Sequence, residues 1–128
     1  MRAALAILLM AMLAACTQQA PAPKITPPKT AKAMMVGVAL RVQQCWFKKA
    51  EPALKPYRMA AEINSLSGQP RILIVPRNNP EGLPKLVAQA KDKGASIEFT
   101  RFGPLLETAD GPRLAAQLDK WAQGQATC

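Results

Sequence analysis

Tyr57 to Arg77 reads YRMAAEINSLSGQPRILIVPR, and this stretch decides the fold. Arg71 to Val75 contains four consecutive large aliphatics, a strongly β-prone run. Apolar groups on both faces of one strand call for an interior or doubly covered position. Tyr57 to Asn64 is a weaker extended segment. Ser65-Leu66-Ser67-Gly68 between the two is a turn, so the pair predicts a β-hairpin. Pro76 ends the second strand or sits at its rim.

Upstream, Met35, Val38, Ala39, Val42, Cys45 and Trp46 recur at helical spacing from about Met34, with Pro52 and Pro56 beyond as stops. Trp46 is expected as a core anchor. Downstream, NNPEGLPKLVAQAKDKG (residues 78–94) carries Leu83, Leu86, Val87 and Ala90 as a stripe, with Asn78 or Asn79 as cap and Gly94 as a terminator. That pattern predicts a second helix. SIEFTRF (residues 96–102) alternates, with Ile97, Phe99 and Arg101 on one face and Phe102 on the other, and predicts a third strand. Asp110, Pro112 and the Leu114, Leu118, Trp121 stripe predict a final helix. The expected class is α+β, in the order α-β-β-α-β-α: a small, mainly antiparallel three-stranded sheet covered by helices.

The N-terminal part has a different character. Arg2 precedes an apolar and small-residue run, Ala3 to Ala15, too short for a span of about 20 residues. A positive start, a short apolar core and small residues before a cut describe a secretory signal. Leu13-Ala14-Ala15-Cys16 resembles the lipobox of bacterial lipoprotein signal peptides. The resemblance implies that Cys16 becomes the N-terminus and carries a diacylglycerol thioether, and that the new amine is acylated. Two chains anchor stably at about 0.8 kcal/mol per buried CH₂. The alternative is ordinary cleavage after Ala15, leaving a free thiol. Residues 17–33 are Pro-rich and read as a linker reaching at most about 50 Å. The expected organisation is a signal at 1–15, lipidated Cys16 and linker at 16–33, and one globular domain at 34–128.

Of three cysteines, setting Cys16 aside leaves Cys45 and Cys128. In an oxidising compartment these two are expected to bridge, worth about 4 to 5 kcal/mol for so long a loop. Histidine is absent, which removes most triads and imidazole ligands. No phosphate-binding loop, nucleophile elbow or zinc spacing is present, and no metal or other cofactor is expected. Glu62 and Glu98 are the one carboxylate pair whose approach would suit hydrolysis.

The helix before the hairpin, the strand-Gly-strand AEINSLSGQPRILIV and residues 78–94 as a following helix together resemble the C-terminal domain of the TolA and TonB families. RFGP stands where those families often carry an aromatic-proline segment. The resemblance spans about Met34 to Pro104. It implies a protein-binding domain of the cell envelope, not an enzyme.

The chain has 17 basic and 8 acidic residues, a net charge of +9. In an envelope compartment such an excess concerns membranes, anionic polymers and acidic proteins, and nucleic acid is not expected. The first expectation is therefore a periplasmic protein-interaction module, membrane-bound through its lipid and pairing with another envelope protein. Tyr57, Arg58, Arg71 and Arg77 near the hairpin are its candidate contacts. The alternative is a structural or ligand-binding lipoprotein that meets lipopolysaccharide or the cell wall through Lys48, Lys49, Lys55 and Arg58. Thr17, where an aspartate favours the inner membrane, points to the outer membrane.

Overall fold

Tyr57–Glu62 (β1) and Arg71–Pro76 (β2) form the expected antiparallel hairpin, with Tyr57 opposite Pro76 and Glu62 opposite Arg71. The computed structural model describes residues 25–128. The signal-like run, Cys16 and the linker up to residue 24 lie outside the described residues. β2 is an interior strand, as its two-faced apolar pattern requires. Ile72 and Ile74 are buried on one face and Val75 on the other.

The sheet has four strands, not three. Residues 78–94 do not form a helix: after a loop, Leu86–Lys93 is β3, and Ser96–Phe102 is β4. The strand order is β1-β2-β3-β4, antiparallel throughout, so the element order becomes α-β-β-β-β-α. The misreading has a physical source. Leu, Ala, Gln and Lys are good helix formers, and Leu83, Leu86, Val87 and Ala90 fit a helical stripe. The period that wins is two. Leu86, Ala88 and Ala90 are buried against the helices, while Gln89 and Lys91 turn away. Pairing on both sides, to β2 and β4, outweighs local propensity. Gly94 is not a helix terminator but the first residue of a two-residue turn between the paired Lys93 and Ser96. Its φ of +66° is what such a tight hairpin needs.

The first helix, α1 (Ala31–Arg41), begins earlier than Met34 because Thr30 caps it, its Oγ1 accepting from the Ala33 N–H at 3.1 Å. The Ala31 N–H is taken by Asp92 Oδ1 of β3 at 2.8 Å. The helix runs on as a π-helical segment, Val42–Lys48. It closes in a Schellman arrangement: Glu51 N–H to the Trp46 carbonyl, and Ala50 N–H to that of Phe47. Ala50 therefore stands at φ +54°, where glycine is usual. The second helix, α2 (Gly111–Ala122), lies where expected. Asp110 sits at its N-cap position but binds the Arg113 side chain instead of a helix N–H.

Both helices cover one sheet face. Met35, Val38, Val42, Trp46, Leu114, Leu118 and Trp121 pack there against Ile72, Ile74 and Leu86. The two tryptophan rings meet at 5.5 Å, tilted by 59°. Their N–H groups are both satisfied: Trp46 donates to Gln117 Oε1, and Trp121 to the Thr127 carbonyl. Gln117 in turn donates to the Cys128 carbonyl. The Cys45–Cys128 disulfide fastens this C-terminal tail to the first helical element. Arg101 on β4 grips Asp119 on α2 with two bonds of 2.7 and 2.6 Å, tying helix to sheet.

Candidate functional site

Two surfaces stand out. The first is the sheet face turned away from the helices. Register places Ala60, Leu73, Val87 and Phe102 in one row across all four strands. The next row is Glu62, Arg71, Gln89 and Thr100. The 77–85 loop folds back over part of this face, and Val75 and Val87 are thereby buried. What remains is a groove of about 530 Å³, floored by Leu73 and Val87 and walled by Pro80 and Pro84. Phe102 borders it, 52% exposed, and Leu83 stands 84% exposed on the loop. Glu62 and Arg71, paired with one another, close the polar side. β1 is an edge strand, uncharged from Met59 to Ala61.

The second surface is basic and lies at the far end of the first helical element. Lys48 and Lys49 form the exposed end of the π-helical segment. Lys55 and Arg77 line a small cavity of about 190 Å³ beside Phe47 and Ala50. Arg77 is fixed there: its Nε donates to the Lys55 carbonyl at 3.0 Å and its N–H to that of Pro56 at 2.9 Å. Arg58 is exposed on the adjoining strand, opposite Val75. Among the described residues none of these five side chains has an ion-pair partner. The one carboxylate in that cavity wall, Glu51, is already held by Arg113 at 2.9 and 3.1 Å.

The sequence candidates thus divide. Lys48, Lys49, Lys55, Arg58 and Arg77 are brought to one end. Arg71 is not among them, because strand β2 separates it from Arg77 and Glu62 neutralises it. Tyr57 faces the helical layer and packs against the core, so it contributes to neither surface. Glu62 and Glu98 are on opposite edge strands, each with its own cation, Arg71 and Lys93. Their approach, on which a hydrolase reading depended, does not occur. Cys16 lies outside the described residues. Phe102 is the contact that sequence reasoning left out. Its signal was present, since the alternation of residues 96–102 already sets it opposite Ile97 and Phe99.

The resolved protonation shifts belong to structural arginines. The hydrogen bonds that Arg101 donates to Asp119 raise its pKa above the ordinary value. Glu51, followed by Asp110, does the same for Arg113. Both stay charged, and the pairs keep their cation at every pH below the guanidinium range. Among the described residues no group of three potential metal ligands exists, and no helix is long and apolar enough to cross a membrane. No family model matches the chain, and no curated protein or solved structure matches it.

Proposed function

We propose that this chain is a lipid-tethered interaction module of a bacterial cell envelope, which receives a segment of another envelope protein on its open sheet face. The observation that carries the reading is the groove floored by Leu73 and Val87, with Phe102 and Leu83 exposed around it. Large apolar side chains left in water beside a formed groove are the mark of an interaction site. The uncharged edge of β1 offers backbone groups for a strand to join. The signal-like run and Leu13-Ala14-Ala15-Cys16 support anchoring by lipid, and Thr17 supports an outer-membrane address facing the periplasm.

The test is capture from detergent-solubilised envelopes with three baits: the unaltered chain, Phe102→Asp with Leu83→Asp, and a secreted Cys16→Ser form. The groove variant is expected to lose the partner, and the untethered form to keep it. Should the anchor alone decide what co-purifies, the module reading fails.

The basic end favours a second reading, contact with an anionic envelope polymer such as lipopolysaccharide. Five cations at one end of the domain, Lys55 and Arg77 of them lining a small cavity, supply the attraction, and Arg77 is held ready by its backbone contacts. Binding of lipopolysaccharide that falls with Lys55→Glu and Arg77→Glu, and is untouched by the groove variant, would establish it.

A further inference from the structure

We infer that a third cavity, separate from both surfaces above, binds a single acyl chain bearing an anionic head group, of the fatty-acid class. The cavity measures about 770 Å³, within the range of roughly 300–1,000 Å³ typical of small-molecule sites. It lies at the opposite end of the molecule from the basic cluster. Three parts of the chain meet to form it: the β3–β4 turn, the end of α2 and the segment preceding α1.

That segment reads from sequence as part of a Pro-rich linker, yet Ile25, Pro27, Pro28 and Lys29 form a wall of the cavity. Gly124 shows how closely it packs. A Cβ at this position would stand 2.6 Å from the Thr26 carbonyl, and its φ of +92° already favours glycine. The chain therefore passes directly over the end of α2. Ile25, Pro28, Met34, Ile97 and Ala122 give the cavity its apolar character. Ile25 is 53% exposed, an aliphatic that a bound chain would cover.

The charge on the wall selects the head group. Among the described residues that line the cavity, Lys29 is the only charged one and none is a carboxylate. Asp92, in the neighbouring hairpin, is engaged with the Ala31 N–H. Glu98 belongs to the opposite sheet face, where it pairs with Lys93. Ser96, Gln123 and Gln125 add hydrogen-bonding groups around the same opening. An apolar interior beside a cation suits a carboxylate on a hydrocarbon tail and disfavours an ammonium on the same tail.

The probe is palmitate, titrated calorimetrically into the full chain carrying Cys16→Ser, with hexadecylamine, of the same chain length, as the cationic comparison. Saturable binding at one site is expected, with hexadecylamine at least about tenfold weaker. Ala95→Trp, at an exposed lining position, should abolish binding by filling the space. Lys29→Glu should weaken it about tenfold or more while leaving the unfolding midpoint unchanged. Phe102→Asp, in the sheet-face groove, should bind palmitate as before, which separates this site from the proposed partner groove. Absence of saturable binding, equal binding of the amine, or binding indifferent to Lys29→Glu overturns the inference.

Discussion

Replacing Cys45 and Cys128 together by alanine tests how the domain is held. The two cysteines are 83 residues apart in sequence, and the chain-entropy treatment gives such a loop about 4.5 kcal/mol. The native contacts of the tail remain available without the bond. Trp121 donates to Thr127 and Gln117 to the Cys128 carbonyl, and Trp46 is linked through Gln117. Cys45 is 6% exposed, so alanine there also removes a little buried surface. A loss of about 4 to 5 kcal/mol is expected, against a typical domain stability of about 5–15 kcal/mol. The assay is urea denaturation followed by tryptophan fluorescence, which reports directly on the Trp46–Trp121 pair. A Gln117→Ala variant in the bridged protein measures the hydrogen-bonded part separately and should cost about 1–2 kcal/mol. A midpoint shift equivalent to less than about 1 kcal/mol in the double alanine variant would refute the idea that the bridge restricts the unfolded chain.

Other outcomes follow from individual residues. Leu118→Ala empties part of the fully buried helix–sheet core and should cost about 2–5 kcal/mol in the same assay. Ala50→Gly should raise stability by up to about 1 kcal/mol, since it removes a left-handed alanine from the Schellman position. Arg101→Gln breaks the two-bond grip on Asp119. The pair is partly exposed, so a loss of only about 1 kcal/mol is expected, visible as a small fall in the denaturation midpoint. Phe102→Asp should lower stability by about 1 kcal/mol, because the ring is only half exposed and Asp is a poor strand former, which leaves the domain folded.

The parts of the fold that read clearly from sequence are those where pattern and environment agree. The Ile-Leu-Ile-Val run of β2 has no amphipathic alternative, and the Leu114, Leu118, Trp121 stripe of α2 fits only a helix. Residues 86–93 are different. Their composition favours a helix and their pattern satisfies two periods, so only the neighbouring strands decide. Gly94-Ala95 was the available hint, a two-residue hairpin turn read as a helix terminus. The candidate sites divide along the same line. Lys48, Lys49 and Lys55 stand close in sequence, and their grouping was legible. The addition of Arg77 and the exclusion of Arg71 depend on the length of a strand and on Glu62. The Lys29 cavity was hidden altogether, since it exists only because a proline-containing segment crosses Gly124.

The cross-link also governs how the molecule responds to being pulled. Tension applied between residue 25 and the C-terminus travels from Cys45 straight across the sulfur atoms to Cys128. The sheet and α2 lie on a side branch and feel no stretch. Only residues 25–45 can pay out, roughly 70 Å of contour at full extension. Reduction would release the remaining length, so force spectroscopy should show two very different extensions for the same chain.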